Sequence, residues 1–266
     1  MTGGSPRALP DPPPLAQQVF GDRLGLAIRY AHWLAGAGVE RGLIGPHEAD
    51  RLWERHLLNC VAVAALIPPD SHVIDVGSGA GLPGLVLAIA RPDLHITLVE
   101  PMLRRTTFLE VVVADLGLVA VDVRRARAEE LRKPRLRADV VTVRAVAAVD
   151  RLGAISGPLL RAGGQLLAIK GVGVTAEVAA GWAALRRAAM TDRVALFTLL
   201  AAPLAAPVAV SAPPTTASWL PGVEAICTSN WAPDGTFSET GLDVPAPAGG
   251  SPEPPLAVVL RVHRNG

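Results

Sequence analysis

The apolar positions of the chain change their period at about residue 72. Before it they recur at helical spacing: Leu24, Ile28, Trp33 and Leu34 line one face of a segment around 22–37, and a second helix is predicted from Pro46 to Leu66. In that helix Trp53, Leu57 and Cys60 fall on one side, while Arg51, Arg55 and Asn59 share another, which assigns the first set to a core. From Val73 onward, short apolar runs at 72–76, 95–99, 120–124, 138–143, 164–170, 193–199 and 256–262 alternate with helical patterns at 82–90, 102–116, 148–160 and 174–190. Such alternation predicts an α/β fold around a mostly parallel sheet of seven strands, covered on both faces. Residues 1–14 read as a Pro-rich disordered tail, 15–66 as an N-terminal helical extension and 67–266 as the main domain, interrupted at about 201–255 by a Pro/Ala-rich insertion.

The first strand ends in the most informative stretch of the chain. Asp75 is followed by glycines at 77, 79, 81 and 84, and the second strand ends in Glu100. A carboxylate about 20 residues past a glycine turn is the spacing at which a βαβ unit meets a ribose. Two registers are open. Gly79, Gly81 and Gly84 form the GxGxxG of dinucleotide sites; Gly77, Gly79 and Gly81 form GxGxG with Asp75 two residues earlier, the pattern of adenosylmethionine-binding loops. The second is favoured, because it starts the turn at once after the strand and leaves Pro83 near the first helical turn, where a missing N–H costs nothing.

Composition narrows the class. At 266 residues and a formal net charge of +1 the chain is no polycation, and its positive charge is nearly all arginine, Lys133 and Lys170 being the only lysines. No apolar stretch approaches the roughly 20 residues of a membrane span. The N-terminal sequence lacks a basic-then-apolar leader pattern, which predicts a cytoplasmic protein. Cys60 and Cys227 are two, without CxxC, so neither a disulfide framework nor a metal site is expected.

From Arg41 to Gly171 the chain resembles one family, the RsmG (GidB) methyltransferases. The resemblance rests on RGLIGPHEADRLWERHLLNC before the first strand, DVGSGAGLPG after it, and then LVEPMLRR, RARAEE, TVRAVAAVDRL and LLAIKG in that order. It implies a Rossmann-like class I methyltransferase fold, with the last strand antiparallel near the sheet edge. The implied activity is transfer of a methyl group from S-adenosyl-L-methionine to N7 of a guanine in 16S ribosomal RNA, on the free RNA or the small ribosomal subunit, by a monomer without metal. The insertion after Leu200 departs from the compact C-terminal half of that family. Two other readings remain: an adenosylmethionine-dependent methyltransferase of a small molecule, with 201–255 as a lid, and a non-catalytic nucleotide- or RNA-binding module.

The expected cofactor contacts are Gly77, Ser78, Gly79, Gly81 and Leu82 around the methionine portion and Glu100 on the ribose. Ala128 and Glu129 at the adenine follow from the resemblance alone. Arg144 ends the fourth strand as the candidate catalytic residue; its planar fork suits guanine O6, a phosphate or the cofactor carboxylate, and the resemblance assigns it to the cofactor site. Where exocyclic-amine methyltransferases carry Asp/Asn-Pro-Pro-Tyr/Phe, this chain has Val143-Arg144-Ala145-Val146, and neither cysteine falls on a strand-end loop, as cytosine C5 chemistry would need. Guanine N7 needs no general base. Arg55, His56, Arg104, Arg105 and Lys170 are the RNA-binding candidates.

Overall fold

A computed structural model describes residues 9–131, 136–171, 173–190, 193–201, 223–232, 234–239 and 257–265. Among the described residues nine strands form one sheet in the order β3-β2-β1-β4-β5-β9-β6-β7-β8. β1 (His72–Val76), β2 (His95–Val99), β3 (Val121–Arg124), β4 (Ala138–Arg144) and β5 (Leu160–Lys170) are parallel. β9 (Ala257–His263) pairs antiparallel with β5 and with β6 (Val194–Ala201), as the resemblance implies for the last strand.

The sheet has two strands more than the seven expected, and both come from the insertion: β7 (Val223–Trp231) pairs antiparallel with β6, and β8 (Phe237–Glu239) with β7. Their signal was weak because the buried alternation of β7 is carried by Val223, Ala225, Cys227 and Ser229, mostly small side chains in an Ala/Pro-rich context. Of 201–255, residues 202–222, 233 and 240–255 lie outside the described residues.

Period-two alternation divides the core between the two faces of the sheet. Val73, Ile96, Leu98 and Val140 face the N-terminal helices together with α4 (Gly84–Ala90) and α5 (Leu103–Leu116), whereas Ile74, Val76, Val141 and Val143 face α6 (Val149–Ser156) and α7 (Val174–Arg187). Asp75, Thr142 and Arg144 alternate in step with Val73 and Val140, so all three stand on the face that the N-terminal helices cover.

Those helices are α1 (Pro14–Phe20), α2 (Leu24–Trp33) and a run over 49–66. The run was expected as one helix; it is instead a chain of short tightened and widened turns, with only α3 (Asn59–Val61) in regular α geometry. The Pro-rich tail ends sooner than residue 14, since Pro14 opens α1 and the Pro10 carbonyl accepts a hydrogen bond of 3.0 Å from the Trp53 indole N–H. Arg23 Nε donates to the Ile89 carbonyl at 2.6 Å near the end of α4, Arg91 Nη1 donates to the Ala64 and Ile67 carbonyls, and Gln165 Nε2 donates to Leu66 O. The extension and the sheet thus share one continuous core.

Candidate active site

At the C-terminal edge of the parallel strands the chain turns from β1 into α4 through residues 77–83. Gly77, Gly79 and Gly81 have φ of +71°, +57° and +100°, a region side chains rarely enter, so these residues are required by the backbone itself. Gly84 answers a different need. A Cβ there would stand 2.3 Å from Leu98 Cδ2 and 2.8 Å from Asp75 Oδ2, so its bareness lets α4 pack on the sheet.

Asp75 organises this turn from below. Its carboxylate is 1% exposed, accepts the Gly84 N–H at 3.1 Å and the Thr142 hydroxyl at 3.0 Å, while Ser78 Oγ donates to the Asp75 carbonyl at 2.9 Å. Burial pushes the carboxyl up to about 6, and hydrogen bonds from Ser78, Thr142 and Gly84 together with the charge of Arg144 restrain the rise.

Glu100 bridges the two sides of the site. It too is 1% exposed; Oε2 accepts the Gly79 N–H at 3.0 Å, Oε1 accepts the Met102 N–H at 3.0 Å, and Arg105 stands 3.6 Å from Oε2. Ala128 is buried, in one apolar cluster with Val76 and Val99, and Glu129 is exposed on the single helical turn Ala128–Leu131 that follows β3.

Arg144 is held rather than free. Nη1 donates to the Cys60 sulfur at 3.0 Å, and Nη2 donates to the Arg55 carbonyl at 3.0 Å and to His56 Nδ1 at 3.1 Å. Cys60, expected away from the strand ends, is therefore brought against the end of β4 by the 49–66 run. Its thiol is fully buried, and burial pushes it up to about 11 against the opposing charge and hydrogen bond of Arg144. The next residue, Ala145, has φ +54°, which folds Val146 back toward the glycine loop; a Cβ on Gly77 would come within 2.8 Å of Val146 Cγ2.

The five RNA candidates separate. Arg55 and Arg104 are exposed, and Arg105 is half-buried over Glu100. His56 is not on the surface: it is 8% exposed, with Nδ1 facing Arg144 and Nε2 2.7 Å from Glu48. Lys170 is likewise committed, donating to Glu177 at 2.6 Å and to the Ala147 carbonyl at 3.1 Å. Both placements have one cause. Helical or strand-end position shows which way a side chain leaves the backbone, not whether another element covers it.

The family model described as "rRNA small subunit methyltransferase G" (GidB) matches residues 23–197. The chain belongs to this family. A GidB relative, "Ribosomal RNA small subunit methyltransferase G" of Nocardioides sp. (strain ATCC BAA-499 / JS614), is 57% identical over 188 residues, covering 70% of this chain and 75% of its own. The protein of the same name from Salinispora tropica is 56% identical over 192 residues, covering 68% of this chain and 77% of its own. The GidB match ends in β6, so it takes in the glycine loop, Glu100, Arg144 and the 49–66 run, and stops before β7 and β8.

A GidB chain uses S-adenosyl-L-methionine, and the geometry suits that molecule. A Cβ on Gly79 would meet nothing nearer than 3.8 Å, so the loop presents an open backbone face that only glycine leaves clear. The buried Glu100 carboxylate follows β2, the place in a βαβ unit where an acceptor for ribose hydroxyls is found. Two contributors escaped sequence reasoning: Tyr30, whose hydroxyl donates to the Ala80 carbonyl at 2.8 Å, and Cys60. On helical spacing alone both read as ordinary core residues.

Proposed function

We propose that this GidB chain transfers a methyl group to N7 of one guanine in small-subunit (16S) ribosomal RNA, in the cytoplasm where such subunits are assembled. The observation that carries the reading is the absence of a usable base or nucleophile among the described residues at the end of β4. The Cys60 thiol is buried against Arg144, both ring nitrogens of His56 are engaged, and Asp75 is bonded beneath the loop. Cytosine C5 requires a thiolate and an exocyclic amine requires its own polar clamp, whereas guanine N7 brings an in-plane lone pair and no proton.

When bound, the cofactor supplies a methyl group on positively charged sulfur. No proton moves, so the chain contributes by orienting and enclosing the reactants. In this reading Gly77, Ser78, Gly79, Gly81 and Leu82 hold the methionine end, Glu100 the ribose, and Ala128 with Glu129 the adenine. Arg144 is the side chain placed against the cofactor carboxylate or the guanine O6, with Arg55, Arg104 and Arg105 on the RNA backbone. Neither a metal nor a second subunit is called for.

The test is to map 7-methylguanosine in ribosomal RNA from cells lacking the protein, and to add purified chain with labelled cofactor to the undermodified subunits. One site is expected to lose its mark and regain it. Persistence of every 7-methylguanosine overturns the reading, and labelling of metabolite extracts instead would make the acceptor a small molecule.

A further inference from the structure

We propose that Tyr30, on the N-terminal extension, is a positioning residue for the cofactor: its hydroxyl holds the glycine loop in the shape that receives S-adenosyl-L-methionine. The inference rests on the reading that residues 77–82 hold the methionine end of that molecule.

Tyr30 is the only tyrosine in the chain and is 0% exposed. Its Oη donates to the carbonyl of Ala80, which sits between Gly79 and Gly81 in the most contorted part of the loop. Glycines lose more freedom on ordering than other residues, so a loop built on three of them relies on bonds from outside it. β1 and β2 supply some: the Gly77 and Ser78 N–H groups donate to the Val99 carbonyl, and the Gly79 N–H donates to Glu100. Tyr30 adds one from the N-terminal extension.

The phenol also sets how deeply the loop sinks. A Cβ on Gly81 would stand 2.9 Å from Tyr30 Oη, so backbone and hydroxyl are already at closest approach. Without the hydroxyl, the Ala80 carbonyl is left buried without that partner, and a loop that turns to satisfy it moves its N–H groups away from the ligand face. Burial holds the phenol well above its ordinary range, reinforced by Cys60 and Asp75 and opposed by Arg144, so the proton stays available to the carbonyl across neutral pH.

The experiment compares Tyr30→Phe with Trp33→Phe on the full chain. The second variant lies on the same helix and removes the Trp33 Nε1 bond to Asp115 (2.9 Å), away from the loop. Calorimetric titration with S-adenosyl-L-methionine alone is expected to show binding about tenfold weaker for Tyr30→Phe, the scale of one lost hydrogen bond. Trp33→Phe is expected to bind as the wild type, and kcat of Tyr30→Phe at saturating cofactor and its KM for RNA are expected to stay within about twofold of wild type. Unchanged affinity in Tyr30→Phe, or an equal loss in both variants, overturns the proposal. A second measurement keeps the native side chain. Because one tyrosine exists, 3-fluorotyrosine labelling yields a single fluorine resonance, expected to shift on adding S-adenosyl-L-methionine and not on adding NAD. A resonance that stays put while the cofactor binds also overturns the proposal; a wild-type chain that binds no S-adenosyl-L-methionine would instead overturn the reading of the loop beneath it.

Discussion

His56 and Arg144 meet through one hydrogen bond of 3.1 Å, and it sets the tautomer of the histidine. A guanidinium only donates, so Nδ1 must be the bare acceptor nitrogen, and the proton resides on Nε2, where it reaches Glu48 at 2.7 Å. Glu48 also holds Arg55 at 3.3 Å, which steadies the turn whose carbonyl receives Arg144. The guanidinium is thereby aimed by the N-terminal extension, although it belongs to β4.

Acid should undo that arrangement. Burial, then the charge of Arg144, lowers His56 from its ordinary 6.5, opposed by Glu48. The folded chain therefore takes up this proton less readily than the unfolded one, and the associated stability is present above about 6.5 and lost as pH falls through the lower folded value. Transfer activity is expected to decline on the acid side, and with it the share of stability that His56 carries. In His56→Asn, whose carbonyl oxygen can still accept from Arg144, the acid decline should flatten; a pH–rate profile of both proteins checks it.

Asp75 carries the opposite sign. Its carboxyl is pushed from 3.8 up to about 6, so folding favours the protonated form, and that contribution is lost as pH rises between those values. In Asp75→Asn the amide oxygen can accept from Gly84 and the amide N–H can donate to Thr142, whose hydroxyl turns to receive it. The variant is expected to melt above the wild type at pH 8 and level with it near pH 3.5, below the unfolded value, read by thermal denaturation at the two values. Asp75→Ala, which strands both donors, should lose about 2 kcal/mol or more.

Two glycines of the loop should fail in different ways. Gly79→Ala introduces a side chain into open space at φ +57°, at a strain cost of about 1 kcal/mol, so it should fold and lose cofactor binding through obstruction of the ligand face. Gly81→Ala drives a Cβ to 2.4 Å from Leu85 Cδ1 and 2.9 Å from Tyr30 Oη at φ +100°, and its first symptom should be a lowered melting temperature. Measuring stability and cofactor affinity for each separates the two; equal loss of stability in both would mean that the face above Gly79 is not open.

Much of this design is written in short-range pattern, and part of it is not. The parallel strands are legible because burial on both faces turns them into runs such as Val73-Ile74 and Val140-Val141, closed by glycine or a charge. Asp75, Gly77 and Glu100 are legible because a turn and an acceptor at strand ends require those residue types at that spacing. The partners of Arg144 are not: amphipathic spacing shows that Cys60 faces inward, and only the packing of the 49–66 run over β4, more than 80 residues later in the chain, shows what it meets. Tyr30 was hidden for the same reason, since a buried helix position says nothing about the carbonyl its hydroxyl finds.

The exposed arginines carry the last prediction. Arg55, with 53% of its side chain exposed, lies on the run whose carbonyl holds Arg144, and the exposed Arg104 lies in the first turn of α5 just after β2, whereas Lys170 is 12% exposed and tied to Glu177. Arg55→Gln and Arg104→Gln should each weaken RNA binding and make log K less steep in log salt by nearly one unit, the signature of one lost phosphate contact. Lys170→Met should leave both affinity and salt slope unchanged and instead lower stability by about 1–3 kcal/mol, because it leaves the Ala147 carbonyl and Glu177 without their donor. Binding to ribosomal RNA across a salt series, beside thermal melts of the same proteins, reads both quantities. A salt slope that falls in Lys170→Met would return that lysine to the RNA face.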